Sequence, residues 1–537
     1  MDWKTILRFK AISVVLVLSL IMIPVGYVAA WDSDWDRDHH GDDYIVDPIQ
    51  TDSGLVSGSK IDAISFPGPT LLQTELFGAP LLPATIGQVG DAVRIYRGIP
   101  YAAPPVGNLR WKPPQPVTPW QGIRECTVFS PMAPQPFPSV ALYGSIPESG
   151  MSENCLYLNV LTPAKRRHDR LPVMVWFHGG GLSIGSSNPV TTNSPPLPQH
   201  GVVVVTVQQR LGPLGYMCHP ALAAESGNLC GNYGQLDLIA ALQWVQGNIA
   251  AFGGDPYNVT IFGQSGGGAK VNGLMASPLA KGLFQRAISQ AAGGGEGTPL
   301  ATAEGLGVAL ASYLGITDTG PTGLAALRAE TWENIINAGE AALGAPSPSG
   351  YVDDFTVDGY FLQAPVLNIF QAGNQQNVPY MVGMNGEDVT FIFGGTQLLV
   401  STMKPVNSVY VYLFDHVPDG WKSLPPAVAV NHAFHGLDVA YEFGFQPWVI
   451  TFIDTLFFPP FPPTTDPGLD QKDTYVSEAM MTMWTRFAAT GNPSVRHLIT
   501  WPAYNISTDQ YLFIDDPLQV LSGFTKLVEP TANHWGL

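Results

Sequence analysis

Two glycine-bound strings carry the residues best suited to chemistry. In Gly263-Gln264-Ser265-Gly266-Gly267 a serine sits between glycines, after the apolar run 259–262 and before a helical stretch over 269–275. A strained strand-to-helix turn would expose its hydroxyl, and a helix N-terminus favours negative charge developing beside it. That is the setting of a serine nucleophile. Alone, the string fits a Gly-Ser loop without chemistry equally well. The second string, His178-Gly179-Gly180-Gly181, closes the apolar run 171–177. Three consecutive glycines let backbone N–H groups face a substrate oxygen with no side chain in the way. An oxyanion loop upstream of a serine elbow, each after its own strand, points to attack on a carbonyl carbon.

Such parts need a rigid frame. Residues 171–177, 202–207 and 259–262 read as short, fully apolar strands. Residues 236–249 read as a helix, with Leu236, Ile239, Leu242, Val245 and Ile249 at helical spacing. Buried strands alternating with helices predict an α/β fold: a large, mostly parallel sheet covered on both faces. The Ala/Leu/Gly-rich stretch 300–350 reads as helical, and the Phe/Pro-rich stretch 455–466 as a loop. In that loop Phe457, Phe458 and Phe461 are expected either to pack it down or to form an apolar lip on an open cleft.

Composition sets limits. The 537 residues include 57 glycines and 48 prolines, yet 45% are hydrophobic, so the many turns belong to an ordered chain with a large core. A net charge of −18 excludes a protein that works by gripping nucleic-acid phosphates, and argues against charge-driven binding to anionic membranes. Lys4, Arg8 and Lys10 precede an apolar run over 11–23, then Pro24, Gly26 and small residues at 28–30. This is the pattern of a secretory signal peptide over 1–30, too short in its apolar part for a span, so no stable membrane segment is expected after cleavage. Residues 31–60 open on an acidic run and read as a mobile lead-in. Residues 61–537 read as a single domain. In an exported protein, the four cysteines are expected to form local disulfides, Cys126–Cys155 and Cys218–Cys230. None has zinc-site spacing.

Beyond the two strings, the chain resembles the type-B carboxylesterase and lipase family over about residues 88–515. The likeness rests on YRGIPYAAPP at 96–105, GNLRW at 107–111, SENCLYLNV at 152–160, RLGPLG at 210–215 and GNYG at 231–234. NIAAFGGDP at 248–256 leads into the serine elbow, and WTRFA at 484–488, GNP at 491–493 and WPAY at 501–504 follow. The resemblance implies an α/β-hydrolase fold and serine ester hydrolysis on a small-molecule or lipid-like ester, with neither metal nor organic cofactor. It places Gly180, Gly181 and Gly266 in the oxyanion hole. It also places His435, in AFHGLD at 433–438, as the general base and acid. In GMNGED at 383–388, Asp388 takes the acid position, with Glu387 the alternative, and the 47 residues from Asp388 to His435 leave little room for the wall helix that the family generally places there.

Some residues depart from the family pattern. Gln264 stands where Glu is usual, Gly266 where Ala is commoner, and Asn154 where Asp is usual. The family's first cysteine, expected near Ala133, is absent, leaving Cys126 to take its place opposite Cys155. The leading expectation is a secreted serine carboxylic-ester hydrolase. The alternatives are an inactive adhesion or binding module on the same scaffold, or the same chemistry turned on lipids, thioesters or amides.

Overall fold

The uniformly apolar runs form the centre of one sheet. The computed structural model describes residues 44–61, 92–136, 149–189, 192–227, 229–293, 295, 297–342, 354–388, 395–422, 431–444 and 470–527. Among them, eleven strands form the main sheet: β1 (Ser59–Ile61), β2 (Val93–Pro100), β3 (Tyr157–Thr162), β4 (Leu171–Phe177), β5 (Val203–Val207), β6 (Gly254–Gln264), β7 (Arg286–Gln290), β8 (Tyr380–Asn385), β9 (Val409–Phe414), β10 (Gln510–Ile514) and β11 (Gln519–Ser522). Their spatial order is β11-β10-β9-β8-β7-β6-β4-β5-β3-β2-β1. From β10 across to β5 every neighbouring pair is parallel. The pairs outside that block are antiparallel.

Helices cover both faces, which is why the strands read as continuous apolar runs rather than alternating ones. On β4, Val173, Val175 and Phe177 enter one core while Met174 and Trp176 enter the other. Successive side chains point to opposite faces of a strand, so one run feeds two cores. The first core packs against α1 (Tyr233–Asn248), the helix expected over 236–249. The second packs against α8 (Gln471–Thr490), whose Val476, Met480, Met483, Trp484 and Phe487 recur at helical spacing. There Trp176, Phe262 and Phe443 meet, with Trp176 edge-on to both phenylalanines at 4.9 and 5.1 Å between ring centres. α8 starts at a reciprocal cap between Asp470 and Asp473 and stops at left-handed Gly491. The helices between α1 and α8 include α2 (Gly266–Ala276), α3 (Leu300–Tyr313), α4 (Pro321–Ala329), α5 (Trp332–Ala342), α6 (Gly395–Thr402) and α7 (Leu437–Glu442). α3 to α5 occupy the stretch read as helical from its composition.

Three expectations need correction. The lead-in is structured from Tyr44 onward: Ile49–Gln50 and Leu55–Ser57 form a small sheet with Ile123–Glu125, and β1 pairs with β2. Buried Ile45, Ile49 and Val56 anchor it, and the acidic run ends before them. The segment between Asp388 and His435 holds the eight-residue helix α6, although its brevity suggested little room for one. Cys218 and Cys230 are bonded, but Cys126 and Cys155 are free, buried thiols. The two free thiols have different neighbours. Cys126 exchanges hydrogen bonds with Ser57 and Arg97, whereas Cys155 lies against the buried Arg210–Asp237 pair. Residues 1–43, with the signal segment, and 455–466, with Phe457, Phe458 and Phe461, lie outside the described residues. Among the described residues no helix is long and apolar enough to cross a membrane.

Candidate active site

β6 runs to Gln264 and α2 begins at Gly266, so Ser265 occupies the whole turn between them. Its φ of 59° and ψ of −126° are costly for any residue with a Cβ. Two backbone bonds hold it there. Ser265 N–H donates to Gln290 O at the end of β7 (2.8 Å), and its carbonyl accepts from Ala269 N–H (3.0 Å). The glycines exist for close approach: a Cβ on Gly267 would collide with the Phe177 carbonyl, and one on Gly266 with the Gly181 backbone. The departure from alanine at 266 is thereby explained, since the loop after β4 fills the space a methyl would need.

That loop brings the second string against the first. A Cβ placed on Gly179 would stand 3.3 Å from Ser265 Cβ. Gly180 and Gly181 have φ of 88° and 58°, and the Gly180 carbonyl accepts from Ser183 and Ile184 N–H in a tight turn. Among the described residues no acceptor pairs with the N–H groups of Gly180, Gly181 or Gly266. The His178 ring faces away from this work: buried, its Nδ1–H donates to Gly179 O at 2.9 Å. Burial, then the positive charge of Lys270, pushes it well below the ordinary imidazole value and keeps it neutral.

His435 follows β9 and precedes α7. Its Nδ1 lies 2.7 Å from Asp388 Oδ1, and the other oxygen of Asp388, 2% exposed, accepts from Asn385 N–H at 2.7 Å. A carboxylate only three residues past β8 thus reaches the ring despite being shorter than glutamate. Burial alone would lower the His435 imidazole; the Asp388 charge and hydrogen bond, with Asp438 behind them, outweigh it and raise the ring above its ordinary value. Glu387 acts elsewhere: the hydrogen bond from His432 Nδ1 to Asp415 Oδ2 at 2.9 Å is the main cause that raises His432, and the Glu387 charge adds to it.

Gln264 Nε2 stands 3.3 Å from both ring nitrogens of His435. A donor aligned with one nitrogen cannot be equally near the other, so the amide rests against the ring's face. It brings the residue before Ser265 and the imidazole into direct contact.

Residues that the strings left without a role complete the site. Asp438, fully buried, accepts from Gln290 Nε2 (3.0 Å) and Asn385 Nδ2 (3.2 Å). Gln290 holds the Ser265 backbone and Asn385 holds Asp388, so one carboxylate ties the two halves together. Burial, then the neighbouring Asp388 charge, pushes Asp438 up to about 6. Its place in the quoted AFHGLD string, one turn beyond His435, was the available signal. Lys270 had a plainer one, as the only charged residue in a helix of small and apolar residues.

Several known proteins are similar to this chain. The model of the carboxylesterase family matches residues 84–397 and 387–529. Fumonisin B1 esterase of Sphingopyxis macrogoltabida is 38% identical over 352 residues, covering 64% of this chain and 62% of its own length. Para-nitrobenzyl esterase of Bacillus subtilis (strain 168) is 32% identical over 487 residues, 81% of this chain and 94% of that protein. A solved structure of PNB esterase superimposes with a TM-score of 0.70 at 26% identity, covering 88% of this chain and 96% of the other.

Proposed function

The chain belongs to the carboxylesterase family and is a carboxylic-ester hydrolase, and we propose that Ser265, His435 and Asp388 carry its reaction. Ser265 Oγ attacks the ester carbonyl carbon while His435 Nε2 takes its proton. Asp388 accepts from Nδ1–H, which fixes the tautomer and stabilises the imidazolium. Gly180, Gly181 and Gly266 donate N–H groups to the oxyanion. Collapse of the tetrahedral species releases the alcohol with the proton from His435, leaving an acyl-serine. Water, deprotonated by His435, then attacks the acyl carbon and frees the acid.

The observation that carries this reading is the 2.7 Å contact of Asp388 with His435, on a ring that also touches the residue before Ser265. A labelled organophosphate tests it: one label per chain is expected on Ser265, and a chain unlabelled there would reject the assignment. Para-nitrobenzyl esters are the first substrates to try, because one relative is named for them. Export is part of the proposal, supported by the signal pattern over 1–30 and the Cys218–Cys230 bond.

The electrostatics set a pH dependence. His435 must be neutral to accept the serine proton, and its surroundings raise its pKa. Activity is therefore expected to fall with acidification through a midpoint above the ordinary value of about 6.5. Gln264→Glu places a carboxylate against the same ring, so that midpoint of kcat/KM should rise by about one unit or more. A pH–rate profile checks this, and an unmoved midpoint would show that residue 264 is not in electrostatic contact with the base.

A further inference from the structure

α2 carries one lysine, Lys270, five residues beyond Ser265 and wholly buried. An ammonium taken out of water without a counter-ion is costly, and among the described residues no carboxylate pairs with this one. Its partners are neutral oxygens. Nζ donates to the His178 carbonyl at 2.9 Å. With the Gln209 amide turned to satisfy its neighbours, Nζ also donates to Gln209 Oε1 at 2.8 Å, while the Gln209 nitrogen donates to Val207 O at 3.2 Å.

The His178 carbonyl belongs to the peptide that opens the glycine run. Lys270 therefore reaches from the elbow helix back to the loop, and joins the element carrying Gly266 to the one carrying Gly180 and Gly181. Packing alone does not call for a lysine here, since methionine would fill a similar volume with no charge to desolvate.

We propose that Lys270 is a positioning residue for ester hydrolysis: its buried ammonium holds the 178–181 loop against the serine elbow and places positive charge behind the N–H groups that receive the oxyanion. The proposal rests on the oxyanion assignment above. Negative charge on the substrate oxygen grows only toward the transition state, so a fixed charge behind the hole lowers the barrier without tightening ground-state binding.

The groups around Lys270 give the sign of its titration. His178, which faces it from the loop, is neutral. Gln209, beyond β5, carries no charge, and the adjacent Arg210 is closed on Asp237 at 2.6 Å. Burial lowers Lys270 to about 7. The ammonium is lost as pH rises through that value, and the rate should fall with it. Together with the acid-side loss from His435, this gives a bell-shaped profile.

The experiment compares wild type with Lys270→Met and Lys270→Arg, using one soluble ester across about pH 5.5 to about pH 9.5. The methionine variant is expected to lose about tenfold or more in kcat with KM within about twofold, and to lose the alkaline limb. The arginine variant, charged throughout this range, should shift that limb beyond it. Unchanged kcat, or an alkaline limb that survives in the methionine variant, overturns the proposal. If neither variant folds, wild type decides alone: a kcat/KM that stays flat above neutral pH overturns it, and a decline there supports it. Organophosphate labelling of each variant keeps the two readings apart. A labelled Ser265 with an unmoved pH profile removes only the role of Lys270, whereas failure to label wild type removes the nucleophile itself.

Discussion

Ser265→Ala is expected to lower kcat/KM for a simple ester by on the order of 10³-fold or more, with the fold intact. The serine is held by its backbone, through the bonds to Gln290 and Ala269, and alanine keeps both. Alanine also meets the same penalty at φ 59° that serine already does, so the turn has no new reason to relax. Only the nucleophilic oxygen is lost. His435→Ala should cost a similar factor, because without a base the hydroxyl keeps its proton. The double variant should be little worse than either single one, since the two groups act as a unit. Steady-state kinetics with circular dichroism as the folding control decide the matter, and turnover within tenfold of wild type for either single variant would overturn the assignment.

Asp388→Asn should also be severely damaging, on the order of 10⁴-fold in kcat. The asparagine side chain can turn its amide nitrogen toward His435 Nδ1. That orientation favours the tautomer with its proton on Nε2, which cannot accept from serine. Glu387→Gln, one residue away, is expected to stay within a few-fold of wild type, because Glu387 acts on His432 rather than on the base. The reverse ranking of the two variants would move the acid to Glu387.

The elements that build the site were readable because burial on both faces leaves a signature. Residues 171–177 form β4 to the residue, and 202–207 lost only its first member to the turn before β5. The strand ahead of the elbow was read too short: it starts at Gly254 rather than Val259, because the polar residues between begin the strand while its apolar part alone is buried in the cores. The small sheet of Ile49–Gln50, Leu55–Ser57 and Ile123–Glu125 was missed for a different reason. Strands of two or three residues, such as Ile49–Gln50, are shorter than any period a sequence can display. The cysteine pairing was half right: Cys218 and Cys230 are bonded, whereas Cys126 and Cys155 enter the same core as free thiols, which sequence distance does not reveal. Asp438 and Lys270 carried visible charge in apolar settings, but their partners, Gln290, Asn385 and the His178 carbonyl, come from distant strands and loops.

The topology also dictates when activity can appear as the chain is made. On the proposed assignment the oxyanion loop follows β4, the serine β6, the acid β8 and the histidine β9, so the site is assembled in chain order at the ends of parallel strands. β9 is flanked by β8 on one side and by β10 on the other, and α8 underlies β4 and β6. A growing chain that has just exposed His435 therefore lacks the strand and the helix that hold its neighbours in place. On the proposed assignment hydrolytic competence is expected late in synthesis, because the chain adds the 170 residues from Ser265 to His435 while the nucleophile still lacks its base.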